Sequence, residues 1–344
     1  MPRLPEPRGA LSQVVIDALR AEARTLSSPD VPTPRDPLSD DDLQLALYCL
    51  YELHYRGFAG VDERWEWDPG LLALRAALEA PFEDALRAAV RPPAPPADPA
   101  DMDVALRAVA DDDDAPPLSR ILETQGTLEQ VLELVVHRSA YQLKEADPHS
   151  WAMPRLDGPA KAALVEIQAD EYGGGRADRI HAELFRRTMV ELGLDGRYGA
   201  YVDLLPGVTL ATVNLMSLCG LHRRLRGAIV GHLALFEMTS ALPNRRYGNA
   251  LRRLGFGERA TDFFDEHVEA DAVHESVAAV DLAGGLARAE PALAADVLWG
   301  AAALIELEAR WARHLVGAWD AGRTSLRVPL DALLRRAARA GSAR

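Results

Sequence analysis

The acidic stretch DFFDEHVEADAVHES, residues 262–276, contains two of the nine histidines of the chain. On an ideal helix, with 100° per residue, Asp271 lies about 40° and His274 about 20° from His267 around the axis. The three side chains therefore share one stripe that rises about 10 Å along the helix. Two imidazoles and a carboxylate form a metal-ligand set, and mixed nitrogen and oxygen donors suit iron, manganese or zinc. Their spread over two turns favours a pair of metal ions over a single ion.

Three further residues on other helical patterns extend this candidate site. Glu237 follows Leu-Ala-Leu-Phe on a segment that is apolar nearly all round. A glutamate is rarely fully buried unless it is paired or binds a metal. Glu171 ends an apolar helical pattern, and His181 occupies an apolar position of the next one. A carboxylate or imidazole on each of several core helices is typical of dimetal-carboxylate bundles.

Two features of this set leave alternatives open. Glu171 and His181 are ten residues apart, about 80° from a shared face on an ideal helix, so the glycines at 173–175 must re-aim one of them. Glu145 is either a further ligand or a carboxylate at a helix end. An acidic helix with a stray histidine is also common, and the pattern HxxxDxxH alone does not distinguish it from a metal site.

Long helical patterns must position these residues. Ala, Leu and Arg dominate the chain, and we find neither strand alternation nor a repeat of 20–50 residues. From residue 118 onward we predict a bundle of six or seven helices. We expect a Thr127-capped helix that ends near Pro148, one long buried helix over residues 211–243, and a separate short helix after Pro243.

The first 117 residues differ from this pattern, because proline- and aspartate-rich connectors separate their short helical segments. One of those helices is expected to start at a Ser39 cap, followed by aspartates that suit the positive end of the helix dipole. We therefore predict three parts: a helical N-terminal extension over residues 1–117, the bundle over 118–330 and a basic tail over 331–344.

Composition limits the functions of the chain. Its 344 residues are 48% hydrophobic, which is enough for a sizeable core, and its net charge of −14 argues against nucleic-acid or membrane partners. No apolar run of about 18 residues predicts a transmembrane helix. Cys49 and Cys219 are far apart and no secretory signal precedes them, so we expect a cytoplasmic protein.

Two basic islands, LHRRLRG and PNRRYGNALRRLG, stand out in the acidic chain. Their arginines could bind a substrate carboxylate, although pairing with acidic neighbours is the usual fate of surface arginines. These arginines are Arg223, Arg224, Arg226, Arg245, Arg246, Arg252 and Arg253. Tyr172 and Tyr247 are candidates for lining the pocket. Asp170, Glu183 and Glu275 are near enough in sequence to orient the ligand histidines.

The segments ADEYGGG with RIHAELF, RGAIVGHLALFEMTS and FFDEHVEADAVHE, in this order, resemble the iron-containing redox enzymes of the heme-oxygenase-like diiron oxidase superfamily. The resemblance covers roughly residues 127–319. It implies an all-α, heme-oxygenase-like seven-helix bundle that binds two iron ions and no heme, with Glu237 bridging them. The metal ligands that it implies are Glu145, Glu171, His181, Glu237, His267, Asp271 and His274, of which the first is used by some members only.

The resemblance implies an oxidoreductase that activates dioxygen. Two ferrous ions can each supply an electron to give a bridging peroxide, in a peroxo-diferric state, and an external reductant is expected as a partner. The implied reactions are N-oxygenation of an amine or guanidine, and oxidative C–C or C–H cleavage of an amino-acid or fatty-acid-like small molecule. We also expect a homodimer, because helical bundles with large apolar faces often pair.

Two other functions remain open. A cofactor-independent or hydrolytic enzyme of the same fold, of the thiaminase-like or pyrroloquinoline-quinone-forming kind, would lack the full ligand set. The joint presence of His267, Asp271 and His274 argues against it. A noncatalytic helical interaction protein would tolerate His267→Ala and Glu237→Ala, whereas a metalloenzyme would lose its metal.

Overall fold

A computed structural model describes residues 1–21 and 34–330, apart from the side chains of residues 271–273. The side chain of Asp271 and the predicted tail at 331–344 therefore lie outside the described residues. Within the described ranges the regular elements are all helical, which confirms the predicted all-α class. None of the helices in that part of the chain combines the length and apolar character of a membrane span.

The helices are numbered here in chain order. The N-terminal part contains α1 (Ala10–Arg20), α2 (Asp41–Glu52), α3 (Pro69–Ala89) and α4 (Met102–Asp111). The bundle begins with α5 (Leu118–Gln125), α6 (Leu128–Gln142), α7 (Asp147–Ser150), α8 (Gly158–Glu171) and α9 (His181–Glu191). It continues with α10 (Gly207–Leu221), α11 (Arg226–Arg253), α12 (Glu258–Ser276), a π-helical segment (Val277–Ala283), α13 (Gly284–Ala289) and α14 (Ala294–Asp320).

Side-chain caps fix two of the helix starts. Thr127 and Gln130 form a reciprocal capping box at the start of α6, as the sequence predicts. The predicted Ser39 cap of α2 is wrong, because Asp40 accepts the hydrogen bonds from the first backbone N–H groups and Ser39 instead donates to Asp36. The α6 helix ends at Gln142, before Pro148, so the chain turns earlier than predicted.

The single long helix predicted over residues 211–243 is two helices. The backbone is extended at His222 (φ −98°, ψ 112°), which ends α10. Helix α11 then continues through Pro243 to Arg253, so the separate short helix after Pro243 is also wrong. Proline removes one backbone hydrogen bond from a helix interior. Because α11 packs along both α12 and α14, its tertiary contacts outweigh that loss.

Helices α11 and α14 cross closely at two glycines. A Cβ atom on Gly231 would lie 2.6 Å from the carbonyl carbon of Val297, and one on Gly300 would lie 2.6 Å from that of Ala228. Each helix therefore presents a glycine to the backbone of the other. This contact sets the position of α11, the helix that carries Glu237.

The N-terminal helices pack directly on the bundle. Helix α2 lies against α10, and its Glu52 side chain, fully buried, accepts hydrogen bonds from Lys144 (3.0 Å) and Tyr198 (2.6 Å). A buried carboxylate needs such partners, because an isolated charge away from water is very costly. The extension is thus held to the bundle by buried charge as well as by apolar contact.

The glycine crossing predicts opposite effects for two glycines of α14. Gly300→Ala should lower the free energy of unfolding by about 1–3 kcal/mol, because the new methyl group overpacks the contact with Ala228. Gly317→Ala should leave it unchanged or raise it by up to about 1 kcal/mol, because its added Cβ meets nothing within 4 Å. Urea unfolding monitored by circular dichroism measures both. Equal effects at the two positions would contradict the close crossing.

Candidate metal centre

Six of the seven predicted ligands converge in the interior of the bundle. They form two groups in which the ligand atoms all lie within 4.8 Å of one another. The first group is Glu145, Glu171, His181 and His267, and the second is Glu171, Glu237 and His274. All six side chains are buried, with exposed fractions of 1–6%. The seventh predicted ligand, Asp271, lies in α12 between the two histidines, and its side chain is outside the described residues.

Each ligand is carried by a helix or by the turn that follows one. Glu145 lies just after α6, Glu171 is the last residue of α8, and Glu237 is in the middle of α11. His267 and His274 are seven positions apart on α12, close to two full turns, and each belongs to a different group. The predicted stripe therefore contributes one histidine to each of the two ligand groups.

The glycines after α8 allow the side chains of Glu171 and His181 to meet. Gly173, Gly174 and Gly175 have φ angles of 71°, 58° and 81°, a left-handed conformation that residues with a Cβ rarely adopt. The chain reverses there and starts α9 at His181. As a result His181 Nδ1 lies 3.0 Å from Glu171 Oε2, although the two residues do not share a helix.

The bridging role assigned to Glu237 by resemblance is not the one that the geometry favours. Glu237 belongs to one group only, whereas Glu171 belongs to both. Glu171 can do so because it ends α8 at the point where α9, α11 and α12 bring their histidines and carboxylates together. Glu171 is therefore the carboxylate that both ligand groups have in common.

Four buried ligand atoms make no hydrogen bond of good geometry within the described part of the chain, although Glu171 Oε2 and His181 Nδ1 lie 3.0 Å apart. These atoms are Glu145 Oε2, Glu171 Oε2, His181 Nδ1 and His274 Nδ1. A buried polar atom left without a partner costs about 1–3 kcal/mol. Metal ions in the two groups, each about 2 Å from its donors, would satisfy these atoms. The residues present thus fit a metal centre.

The electrostatics of the cluster favour a cation. Burial raises the pKa of Glu145. Burial also acts to raise the pKa of Glu171, but the positive charge available on His181, His267 and His274 outweighs it and lowers that pKa to about 2. Burial lowers the pKa of His274, yet the nearby carboxylates of Glu237 and Asp170 raise it to about 9. Protons and metal ions therefore compete for the same negative pocket.

Hydrogen bonds fix the orientation of both histidines on α12. His267 Nδ1–H donates to the backbone carbonyl of Phe263 (2.8 Å), which leaves Nε2 facing Glu145 Oε1 at 3.4 Å. His274 Nε2–H donates to Asp170 (3.0 Å), which directs Nδ1 towards Glu237 Oε2 at 3.4 Å. Such outer partners set the ring orientation and the basicity of ligand histidines.

Of the three carboxylates proposed to orient the histidines, Asp170 does so. Glu183 instead pairs with Arg186 and Arg187 on its own helix. Glu275 pairs with Arg107 of the N-terminal extension. The Phe263 carbonyl was not foreseen, although its position four residues before His267 on the same helix is a usable signal.

A buried histidine pair beside the centre was also missed. His149 Nε2 and His232 Nδ1 lie 3.2 Å apart, and burial lowers the pKa of both rings, that of His149 to about 4. His149 lines the same small cavity as Glu145, Glu171 and Glu237. The available signal was His232, which lies five residues before Glu237 on the most apolar stretch of the chain.

Most arginines of the basic islands brace the helices. Arg224 pairs with Glu83, Arg226 with Glu290 and Arg252 with Asp265, while Arg253 donates to backbone carbonyls at the end of α5. These four arginines therefore make the neighbouring contacts that are usual for surface arginines and do not reach the ligand cluster.

The tyrosines proposed to line the pocket do not line the metal cavity. Tyr172 donates to Asp147 at 2.9 Å and is partly exposed. Tyr247 and Arg246 line a separate, larger pocket that adjoins the metal cavity along α11.

Comparisons with known proteins confirm the predicted heme-oxygenase-like class. A family model described as "Iron-containing redox enzyme" matches residues 132–309, a range that contains all six converging ligands. Nitrosourea synthase from Streptomyces achromogenes subsp. streptozoticus is 32% identical over 139 residues, which are 40% of this chain and 29% of that protein. The chain therefore matches less than a third of the length of this relative.

The shared carboxylate predicts an asymmetric mutational pattern. Ferrous iron titrated into the metal-free protein should occupy two positions. Glu171→Gln should weaken both, because Glu171 contributes to both groups, whereas Glu145→Gln and Glu237→Gln should each weaken one. Bound iron per chain, measured after gel filtration, reports the outcome. Glu166→Gln, an exposed change on the same helix, is the matched control, and losses equal to the control would contradict a shared ligand.

Removing the partner of His274 should weaken metal binding without removing a ligand. Asp170→Asn is expected to lower iron affinity by about 10- to 100-fold, because the ring loses the charged acceptor that orients it. Asp178→Asn changes an exposed aspartate nearby and should have no effect. Competition with a chromogenic chelator measures the two affinities, and equal values would show that Asp170 does not support the centre.

Proposed function

Since the chain belongs to the family of iron-containing redox enzymes, we propose that it is a nonheme diiron oxidase that uses dioxygen to oxidise a small molecule. One observation carries this proposal. Glu171 is common to two buried ligand groups, so two adjacent positions can share one carboxylate. This is the arrangement expected when two metal ions act together.

The donor set suits two ferrous ions in type and in charge. Three carboxylates and three imidazoles are mixed oxygen and nitrogen donors, which iron accepts. Three negative charges nearly balance the four positive charges of two ferrous ions, so the buried cluster would approach neutrality once filled. These side chains also occupy the space between the helices and leave only a small cavity, which supports ions rather than a heme.

Bound ferrous ions would supply the electrons that dioxygen needs, since dioxygen reacts slowly with closed-shell organic molecules. The residues of this chain hold and shield the centre. Phe263 and Asp170 fix the two α12 rings through their outer nitrogens. Leu233 and Phe236 wall the cavity, and the exclusion of water strengthens the electrostatic interactions inside it.

Among the reactions that the resemblance implies, we propose N-oxygenation ahead of C–C or C–H cleavage. Nitrosourea synthase, by its name, makes a product with an oxidised nitrogen. An external reductant would return the iron to the ferrous state for further turnovers. A cofactor-independent enzyme has no use for so complete a set of buried ligands, and the burial of all six side chains argues against a purely structural role.

Dioxygen consumption by iron-loaded protein tests this function. Ferrous protein prepared without oxygen should consume dioxygen rapidly on mixing, and His267→Ala should reduce this to the background rate of free iron. Glu266→Ala is the matched control, because the neighbouring Glu266 pairs with Arg179 rather than with the centre. An oxygen electrode gives the rate and iron analysis gives the occupancy.

Two results would overturn the proposal. One is binding of well under one iron per chain. The other is background oxygen consumption by fully loaded protein in the presence of a reductant.

A further inference from the structure

Glu145 differs from the other converging ligands in the backbone that carries it. It lies in the turn of residues 143–146, between α6 and α7, whereas the other five ligands belong to helices. A helix fixes its residues through its own backbone hydrogen bonds, but a turn depends more on the contacts that surround it. The position of Glu145 is therefore set by whatever holds this turn.

The N-terminal extension contacts the turn at the two residues that precede Glu145. The guanidinium of Arg56, just beyond α2, donates to the backbone carbonyl of Leu143 at 3.1 Å. The ammonium of Lys144 donates to the carboxylate of Glu52, the last residue of α2, at 3.0 Å. Because both contacts come from the same end of α2, this helix fixes the backbone and a side chain of the turn together.

The pair of Lys144 and Glu52 is enclosed, since their side chains are 1% and 0% exposed. Lys144 is one of only two lysines among the 38 basic residues of the chain. Its compact ammonium lies 4.2 Å from the centre of the Tyr55 ring, while Tyr198 donates to Glu52 at 2.6 Å. Removing one member of such a pair leaves an uncompensated buried charge, so Lys144 keeps its place only while Glu52 is present.

Helix α8 holds the residue that follows Glu145. The side chain of Gln168 donates to the backbone carbonyl of Ala146 at 2.8 Å. Between these supports Glu145 reaches the cluster, where its Oε1 atom lies 3.4 Å from His267 Nε2. Helix α8 itself carries a ligand, Glu171, whereas α2 carries none of the six. The contribution of α2 can therefore be altered without changing a ligand helix.

We propose that Glu52 and Arg56 are positioning residues of the metal centre. Acting through residues 143 and 144, they hold Glu145 in the first ligand group. The N-terminal extension is then a working part of the centre, although the family match begins only at residue 132. The inference rests on the proposed function only in requiring metal at the two ligand groups, and it assigns a role to the helices that precede the bundle.

Ferrous iron titrated into metal-free, full-length protein tests this role without any measurement of turnover. Competition with a chromogenic chelator resolves the affinities of the two positions. Glu52→Gln should weaken one position about tenfold or more and leave the other unchanged, because residues that orient a ligand typically affect metal affinity about 10- to 100-fold. The weakened position should be the one that Glu145→Gln also weakens.

Gln44→Met is the matched control for this change. Gln44 is also buried on α2, and its side-chain oxygen accepts a hydrogen bond from Asn214 of α10 at 2.7 Å, so it does not support the turn. The control removes a buried polar contact between the extension and the bundle. It should keep both iron affinities even where it lowers the melting temperature of the metal-free protein, measured by circular dichroism.

Arg56→Met is a milder change at the same turn, because Arg56 is exposed and its loss leaves no buried charge unpaired. It should weaken the same iron position as Glu52→Gln. Arg91→Met is its control, since Arg91 is an exposed arginine of the extension that donates to the carbonyl of Ala88 in the preceding helix. If Glu52→Gln does not fold, the comparison of these two arginine variants decides.

A double variant separates positioning from general destabilisation. If Glu52 acts through Glu145, adding Glu52→Gln to Glu145→Gln should cause no further loss of iron at that position. A destabilisation unrelated to Glu145 would instead add its own loss. The same comparison applies to Arg56→Met combined with Glu145→Gln.

The outcomes distinguish this role from the oxidase function. If Arg56→Met, and Glu52→Gln where it folds, bind both irons as tightly as their controls, or if the double variants show additive losses, the positioning role is wrong. If these variants lose one position as expected but iron-loaded wild-type protein consumes no dioxygen, the positioning role stands and the oxidase function fails. If the wild-type protein binds no iron, both fail.

Discussion

The structure depends on one constraint, which is that three carboxylates buried in the bundle need positive charge around them. Glu145, Glu171 and Glu237 come from different segments of the chain and meet among three imidazoles, away from the protein surface. An uncompensated carboxylate in such a place would be protonated or would destabilise the fold. Histidines supply part of the compensation, and the ligand atoms without a good hydrogen bond mark where metal ions could supply the rest.

The helices that carry these groups are held in place by contacts outside the site. The glycine crossing between α11 and α14 fixes the helix that bears Glu237, and the glycine turn after α8 fixes Glu171 and His181. The π-helical segment Val277–Ala283 follows the second histidine of α12 and packs against α8. Such segments are rare and frequent near functional sites, which agrees with its position here.

Helix α11 borders both the metal cavity and the neighbouring pocket. Glu237 faces the ligand cluster, while Phe236 and Ser240 wall both the metal cavity and the neighbouring pocket. The two arginines of the pocket differ, because Arg138 is held tightly by Glu308 at 2.6 Å whereas Arg246 lies 3.8 Å from Glu123.

Much of the site followed from the sequence alone, because helical periodicity is a local property. Spacing placed His267 and His274 on one stripe, and apolar surroundings singled out Glu237. The glycines after Glu171 indicated that the chain changes direction there. Tertiary structure decided four other features. They are the end of α10 at His222, the continuation of α11 through Pro243, the place of Glu171 in both ligand groups and the His149–His232 pair. Each of these depends on contacts between residues distant in the chain, and local patterns carry no record of such contacts.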